Sequence, residues 1–314
     1  MPRGKLSPSQ IIGIVASIAS IAIFVHDPSF PTPDKLLVFA TFVSLIFKQA
    51  GEMLKRFVPF VGLLLVYESF RGIVPHLNNH VHYTWMPNVD KFLFFGHLPT
   101  AWLQQHIWPG HVQWFDFVLY LTYMMHFVLP FALAFVVWKL REAHYWHYAM
   151  SYITVSFAGF LTFLAFPAAP PWMASDNGYI EHIVRISSSV WAELGIHDFP
   201  SVYNKLSPNP VAAVPSLHAA YATLFAIFAF KLFKETKWKY LSLLYPAFIY
   251  FGTVYMGEHY AIDEILGGVY AVGAYFAAPY VIRAVQKLWR PIGESGQYKV
   301  LVKKLHHGHQ PKAH

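Results

Sequence analysis

The sequence contains no cysteine among its 314 residues and little charge, since only 12% of the residues are Asp, Glu, Lys or Arg. The absence of cysteine excludes disulfide bonds and cysteine-based zinc or redox sites. The charged fraction is about half that of an ordinary soluble domain, whereas 56% of the residues are hydrophobic. This composition places the chain in the membrane class.

Long apolar runs follow one another along the chain. A helix needs roughly 17 to 25 apolar residues to cross a bilayer, and the eight candidate segments are residues 10–26, 35–49, 56–70, 113–138, 148–166, 211–233, 240–257 and 262–285. The second and third are short, which requires tilting or local thinning of the bilayer. No convincing small-residue cleavage site follows the first, so it is interpreted as an uncleaved span rather than a secretory signal. The predicted fold is an all-α, polytopic membrane helix bundle.

Lys and Arg are distributed unevenly between the predicted loops. If the spans alternate, 18 of the 23 lie on one side, and the other side receives only Lys35, Arg71, Lys91, Arg185 and Lys205. Cytoplasmic loops accumulate Lys and Arg, so we expect both termini in the cytoplasm. The other side, extracellular or lumenal, receives the long connections 71–112 and 167–210. Residues 90–108 and 181–194 have the mixed character of helices that lie along the membrane surface.

Two histidines and a carboxylate lie at the mouths of two predicted spans on that less basic side. They are His218, His259 and Asp263. Residues four apart share one face of a helix, so Asp263 can hold His259 in one tautomer. A histidine oriented in this way is a competent nucleophile towards phosphorus. His218 is then the candidate general acid for the leaving oxygen.

Pro215 and Ser216 have the character of a helix start, because proline is tolerated in the first turn and serine caps free amide groups. Those amides and the helix dipole attract phosphate, which makes Ser216 a candidate phosphate-binding residue. A single histidine at a membrane boundary is more often structural or interfacial than catalytic. Two histidines with a carboxylate on one side favour a reactive site, since ionisable groups at membrane depth are costly.

Three strings carry a family resemblance: AVPSLHA at 213–219, GEHYAID at 257–263 and FPAAPPW at 166–172. The first two resemble the second and third signature motifs of the type 2 phosphatidic acid phosphatase superfamily. The third resembles a motif of its inositol phosphorylceramide synthase branch. The match is close in these strings and loose over about 60–285. The resemblance implies a six-helix core and the roles of nucleophile for His259, orienting carboxylate for Asp263 and proton donor for His218.

This resemblance divides the chain into three regions: N-terminal spans at 1–55, the phosphatase or phosphotransferase core at 56–290, and a basic cytoplasmic tail at 291–314. Glu258 and Glu264 flank the nucleophile but face away from it on a helix, so neither is assigned a role. The histidines of connection 71–112 match no common metal-ligand spacing. No metal and no cofactor is expected.

The sequence departs from the phosphatase pattern in two places. Thr253 stands six residues before the nucleophile, where the family usually has arginine, and the first motif, from lysine to Arg-Pro, is missing. Other cations must then neutralise the phosphate. Arg71 and Lys205 are the leading candidates because they are among the few cations on the active side, and Arg185 ranks below them because it can simply complete a surface helix. Each of these cations has the alternative role of anchoring to lipid phosphate.

These features predict a membrane enzyme that cleaves a lipid phosphoester through phosphohistidine. Water as acceptor makes it a phosphatase of polyprenyl or phosphatidate type, and an alcohol makes it a headgroup transferase. The missing arginine and the FPAAPPW string favour transfer. A non-catalytic lipid transporter or scaffold of the same fold remains an alternative. The expected partners are a lipid phosphate substrate, an alcohol acceptor and membrane lipids, with no nucleic acid; the oligomeric state is left open.

Overall fold

The computed structural model describes residues 6–26, 32–126, 128–194 and 209–294, and the side chains of 289–294 are not considered. Within these ranges the chain is helical, with isolated β-bridges and no β-strand. The helices are α1 Pro8–His26, α2 Pro33–Ile46, α3 Ala50–Leu77, α4 Trp85–Leu93, α5 Pro99–Ile107, α6 Trp114–Met124, α7 Val128–Leu140, α8 Tyr145–Ala165, α9 Pro171–Asp176, α10 Ile186–Glu193, α11 Leu217–Leu232, α12 Trp238–Leu241, α13 Leu244–Tyr255 and α14 Ala261–Glu294. The all-α prediction is confirmed.

Four segments of the described chain are long and apolar enough to cross a membrane: Pro8–His26, Ala50–Leu77, Glu142–Ala165 and Ala261–Leu288. Helices α6 and α7, which are bent by 52° relative to each other, count as a fifth when taken as one broken span. Helices α2, α11 and α13 have 14, 16 and 12 residues, fewer than the roughly 17 that a straight crossing needs. A helix therefore lies in each of the eight predicted segments, while the number that cross stays a prediction.

Several predicted boundaries were wrong. The segment predicted at 56–70 is α3, which runs from Ala50 to Leu77 and is not short. Its first turns keep their charges at the surface, where Glu52 pairs with Lys55 and Arg56. The segment predicted from 211 becomes helical only at Leu217, because Ser216 caps the helix and its hydroxyl accepts a hydrogen bond from the amide of Ala219 at 3.2 Å.

The predicted surface helices are also shorter than expected. Residues 90–108 belong to two helices, α4 and α5, and the chain between them turns through positive φ at Phe95 (54°) and Gly96 (92°). Residues 181–194 contain only the helix Ile186–Glu193. The pattern of apolar residues does not show at which residue a helix ends, so it does not predict these turns.

The core of the bundle lies between α3, α7, α8, α11 and α14. It is built from aromatic and small residues that are almost fully buried, including Phe57, Phe60, Tyr148, Tyr152, Leu224, Phe228 and Ala271. The Tyr148 hydroxyl donates to the carbonyl of Pro130 at 2.6 Å, and the Tyr152 hydroxyl donates to that of Tyr221 at 3.0 Å. The tyrosines thus fill volume in the core and satisfy their own polar ends there.

Helix α14 approaches the start of α11 closely at Gly267. A Cβ added at this glycine would collide with the carbonyl oxygen of Ser216 and would lie 2.9 Å from the Cβ of Ala219. Both obstacles are fixed, one being backbone and the other a side chain with no rotamer freedom. Gly267 therefore allows the two helices that carry His218 and Asp263 to meet.

We expect Gly267→Ala to destabilise the fold by about 1–3 kcal/mol, the usual effect of overpacking a rigid contact. Gly273 is the matched control, because it lies on the same helix and an added Cβ there meets nothing within 4 Å. Gly273→Ala should be neutral or stabilising by up to about 1 kcal/mol through helix propensity. Thermal unfolding of the purified variants in micelles measures both, and equal melting temperatures would contradict the close contact.

Candidate active site

His218, His259 and Asp263 form a contiguous chain of side chains. Nδ1 of His218 lies 3.1 Å from Nε2 of His259, and Nδ1 of His259 lies 3.5 Å from Oδ2 of Asp263. His259 is 6% exposed and Asp263 is 0% exposed. When Nδ1 of His259 carries its proton towards the carboxylate, Nε2 keeps its lone pair and accepts a hydrogen bond from His218. This tautomer presents a nucleophilic nitrogen to the second histidine.

The charge of His259 is set by competition between burial and nearby carboxylates. Burial disfavours the imidazolium and lowers the pKa of His259, but the adjacent Asp263 and Glu264 carboxylates favour it, and the net effect raises the pKa above the ordinary value of 6.5. The Asp263 carboxylate that orients the ring therefore also makes it more basic, and a more basic nitrogen is a better nucleophile once it is deprotonated.

The turn that presents His259 is held by backbone hydrogen bonds. The amides of Glu258 and His259 donate to the carbonyl of Thr253 at 2.9 and 3.2 Å. Gly257 adopts a φ of +80°, which side-chain-bearing residues rarely adopt. After the turn, the amide of Tyr260 donates to Oδ2 of Asp263 at 2.9 Å. Asp263 thus connects the backbone of the turn to the ring of the histidine.

Asp90, on α4, fixes the beginning of α14. Its two carboxylate oxygens accept hydrogen bonds from the amides of Ala261 and Ile262, both at 2.9 Å. These amides have no partner within their own helix, and a carboxylate is favoured at this positive end. Burial is the main cause that raises the pKa of Asp90, to about 6, against the opposing effect of these hydrogen bonds. Asp90 is a positioning residue for the helix that bears Asp263.

The FPAAPPW string connects the two histidine-bearing segments through its backbone. The amide of Ala168 donates to Val211 at 2.8 Å, and the amide of Ala213 donates back to Ala168 at 3.3 Å. Further along the string, the amide of Trp172 donates to Gly257 at 3.2 Å. The three family strings, distant in sequence, therefore form one hydrogen-bonded structure around the histidines.

The three phosphate-binding residues predicted from the sequence lie in different parts of the chain. Ser216 is fully buried and caps α11, and it also interacts with Glu264. Arg71 lies near the end of α3, with a guanidinium nitrogen 3.2 Å from the carboxylate of Glu68. Lys205 lies outside the described residues. The binding of phosphate by any of the three stays a prediction.

Arg185 has a different place from the one predicted. It precedes α10 and does not complete a surface helix. Its guanidinium donates to both oxygens of Glu258, at 2.8 and 3.2 Å, and lies 4.4 Å from the ring centroid of Trp172. The hydroxyl of Ser187 donates to the same carboxylate. Glu258 and Arg185 therefore form a polar group directly beside the nucleophile.

Glu264 and His126 are two members of the site that sequence reasoning missed. The Glu264 carboxylate is 2% exposed, and its Oε1 lies 2.8 Å from the hydroxyl of Thr253. His126 packs edge-on against His218 with 4.4 Å between ring centroids, while Tyr123 stacks on the same ring at 4.5 Å. The sequence could have indicated His126, because a histidine inside a predicted apolar span is by itself a candidate functional residue.

A cavity of about 370 Å³ opens next to this cluster. Its lining is rich in hydroxyl and charged groups and includes Tyr120, Tyr123, Arg185, Ser187, Ser188 and Glu258. Trp191 supplies an aromatic wall. Donors, acceptors and an aromatic surface in one cavity suit a polar, hydroxylated ligand.

Comparison with known proteins is consistent with this chemistry. The sequence model of the PAP2 superfamily matches residues 84–278. The chain is 29% identical over 251 residues to the phosphoinositol dihydroceramide synthase of Bacteroides thetaiotaomicron, covering 74% of this chain and 80% of that protein. It is 27% identical over 208 residues to the catalytic subunit of inositol phosphorylceramide synthase of Schizosaccharomyces pombe, covering 62% of this chain and 46% of that protein.

A third relative is the corresponding catalytic subunit of Saccharomyces cerevisiae, 30% identical over 169 residues, with 49% of this chain and 40% of that protein covered. The chain thus spans less than half the length of these two fungal relatives. No solved structure matches the chain significantly. The resemblance read from the three strings is confirmed at the level of the superfamily and of its inositol phosphorylceramide synthase branch.

Proposed function

Because this chain belongs to the PAP2 superfamily, we propose that it is a membrane lipid phosphotransferase that moves a phosphoinositol-type headgroup from a phospholipid to a ceramide-type alcohol. The observation that carries the proposal is the contact between His218, His259 and Asp263. These side chains supply the nucleophile, its orienting carboxylate and a proton donor within one small volume. The named relatives supply the substrate class.

In the first half of the reaction, Nε2 of His259 attacks the phosphorus atom of the lipid phosphodiester. The bond from phosphorus to the diacylglycerol oxygen breaks, and His218 donates a proton to that oxygen. The product that stays bound is a phosphohistidine carrying the headgroup. The incoming phosphorus must displace the hydrogen bond between the two rings, which frees His218 to face the leaving oxygen.

In the second half, the acceptor alcohol takes the place that diacylglycerol has left. His218, now neutral, removes the proton of the hydroxyl group as its oxygen attacks phosphorus. The bond from phosphorus to Nε2 breaks, and His259 returns to its starting state. Arg71, Lys205 and the amide end of α11 are proposed to balance the negative charge of the phosphoryl oxygens in both steps.

The headgroup is proposed to occupy the cavity beside Glu258. A polyol ring offers many hydroxyl groups, and Arg185, Ser187 and Glu258 line the cavity with matching donors and acceptors. Because Glu258 precedes His259 in the chain, a ligand held there lies next to the nucleophile. Water as acceptor would give hydrolysis, and the hydroxylated lining favours a headgroup that stays bound until an alcohol arrives.

The active site is proposed to face away from the cytoplasm. His218 is in the first turn of α11, and Lys231 is in the last turn of the same helix. Along α3, Lys55 and Arg56 lie near the start and Arg71 lies near the end. The end of the bundle that carries the histidines is thus opposite the end where cations concentrate, which is the cytoplasmic end under the positive-inside rule.

Mass spectrometry of lipids incubated with the purified protein tests the proposal. Phosphatidylinositol and ceramide together should give a new phosphoinositol ceramide and an equal amount of diacylglycerol. Phosphatidylinositol without ceramide should give little product. Free inositol phosphate formed at the same rate with and without ceramide would instead identify a water-using phosphatase-type enzyme, and no turnover of any lipid phosphate would favour a transporter or scaffold.

The raised pKa of His259 predicts one limb of a bell-shaped rate profile. The first half-reaction needs a neutral His259 and a protonated His218, so kcat/KM should pass through a maximum with pH, and the limb set by His259 should have its midpoint above 6.5. Asp263→Asn removes a negative charge that stabilises the imidazolium of His259, so that limb should move to lower pH. The maximal rate should fall by about 10²-fold or more, as expected for loss of an orienting group. A limb above 6.5 that keeps its midpoint in Asp263→Asn would contradict the electrostatic role of Asp263.

A further inference from the structure

A second cavity lies at the end of the bundle opposite the histidine cluster. Its volume is about 430 Å³. Three elements supply its basic groups: the loop after α7, the beginning of α8 and the end of α11. These groups are Arg141, His144, His147, Lys231 and Lys234. Helix α11 separates His218 from Lys231 by 13 residues, a rise of about 20 Å, so this cavity is distinct from the proposed active site.

The charge of this cavity has one sign. None of the described side chains that line it is a carboxylate. Glu142, which follows Arg141 in sequence, is bound by Arg56 instead, and Arg141 itself makes no ion pair within the described residues. Lys234 is the one lining cation with an ion pair there, to the exposed Glu235 at 3.3 Å. Most of the positive charge is therefore available to a ligand.

The position of two basic groups is fixed by Tyr275. Lys231 lies 4.2 Å from the centroid of the Tyr275 ring, and Nε2 of His147 lies 2.8 Å from the carbonyl oxygen of Tyr275. The ring of His147 also packs edge-on against Phe228 at 5.3 Å. The excess of Lys and Arg that sets the orientation of a membrane protein does not need fixed side-chain positions, because scattered cations have the same effect.

The cavity also has an apolar part. Val137, Phe228 and Leu232 line the same space as the basic groups. A free phosphate would leave this apolar surface unused, whereas an amphiphile places its phosphate among the cations and its glycerol and first acyl carbons against the hydrophobic side chains. The combination of basic groups and apolar wall is the pattern of sites for anionic lipid headgroups between transmembrane helices.

We propose that this cavity binds the phosphate headgroup of an anionic phospholipid, at the end of the bundle opposite the histidine cluster. The ligand chemistry is a phosphate monoester or diester attached to an apolar chain. The site is independent of the transfer reaction, so a lipid bound there is not a substrate.

A photoreactive phosphatidic acid with a diazirine near its glycerol group is the probe. The full chain in detergent micelles is irradiated with it at a subsaturating concentration, and labelled peptides are mapped by mass spectrometry. Labels are expected on peptides from 137–147 and 228–234. The double variant Arg141→Gln/Lys231→Gln should reduce labelling of these peptides by about thirtyfold, the product of two typical contacts between a cation and an anionic lipid. Labelling near the histidines should not change.

Two further variants make the test decisive. Lys55→Gln/Lys237→Gln removes two exposed cations at the same end but outside the cavity, so its labelling should match the wild type. The charge-conserving Arg141→Lys/Lys231→Arg should also retain labelling, which separates the loss of charge from a failure to fold. Full labelling of Arg141→Gln/Lys231→Gln, or an equal loss in Lys55→Gln/Lys237→Gln, would overturn the proposal.

Competition distinguishes the sources of phosphate. Unlabelled phosphatidic acid should suppress the labels, and phosphatidylcholine should not, because its quaternary ammonium group is repelled by the cations. Glycerol 3-phosphate at the same concentration should compete weakly. Equal competition by glycerol 3-phosphate would overturn the lipid as the ligand, and equal competition by phosphatidylcholine would overturn the selectivity for an anion.

Discussion

His259→Ala is expected to lower kcat for headgroup transfer by at least about 10⁴-fold. The substitution removes the nitrogen proposed to form the bond to phosphorus, and the remaining polar groups of the site cannot take its place. Glu264 is held by Thr253, and Glu258 is held by Arg185. Both carboxyl groups are therefore already engaged by other side chains. The measurement is the formation of phosphoinositol ceramide by the purified variant, followed by mass spectrometry.

The matched control is His182→Ala. His182 is an exposed histidine in the connection between α9 and α10, on the same side of the bundle as the site, and we assign it no role. Its replacement should change the rate by less than about threefold, as expected for a surface substitution away from the site. Melting curves should show that both variants fold. His259→Ala with activity within tenfold of the wild type would remove the phosphohistidine from the proposal.

The apolar helices could be predicted well because their signal is local. Segments 10–26, 148–166 and 262–285 match α1, α8 and α14 closely at their beginnings, since each begins where polar residues give way to a long apolar run. The predicted helix boundaries were wrong where charged residues belong to the helix. Glu52, Lys55 and Arg56 look like a loop in a hydropathy scan, yet their pairing at three and four residues apart stabilises the first turns of α3.

The candidate catalytic residues could also be found from local spacing. His259 and Asp263 are one helical turn apart, and His218 follows a proline and a capping serine. What the sequence could not show is how close the two histidines come, because His218 and His259 are 41 residues apart. Their contact depends on the close approach at Gly267, and a glycine alone does not reveal which backbone it faces.

The neighbours of the catalytic residues were missed for a related reason. A helical wheel turns Glu264 away from His259, but its carboxyl group is buried against Thr253 and Ser216, which belong to other elements. The sequence around Arg185 indicates only a surface cation, whereas its guanidinium binds Glu258 across 73 residues of sequence. Ion pairs and hydrogen bonds between distant segments leave no periodic trace, so only coordinates assign them.

His218→Ala is expected to lower transfer from the natural lipid donor by about 10²–10⁴-fold, the usual contribution of a general acid or base. The physical reason is that diacylglycerol leaves as a strongly basic alkoxide unless His218 protonates it. A donor in which para-nitrophenol replaces diacylglycerol removes this need, because nitrophenolate leaves without a proton. With that donor, His218→Ala should release a burst of nitrophenolate equal to the amount of enzyme, at a rate within about tenfold of the wild type.

After the burst, turnover of His218→Ala should stay slow, because the acceptor hydroxyl still needs a base to attack the phosphohistidine. His259→Ala is the comparison and should give no burst with either donor. Stopped-flow absorbance measures the burst, and the steady state reports the second half-reaction. His218 packs against Tyr123 and His126. If its role were only structural, His218→Ala would slow the first half-reaction by the same factor with the natural donor and with the nitrophenyl donor. Such an equal loss would show that His218 holds the site together rather than donating a proton, because a packing defect does not depend on the basicity of the leaving group.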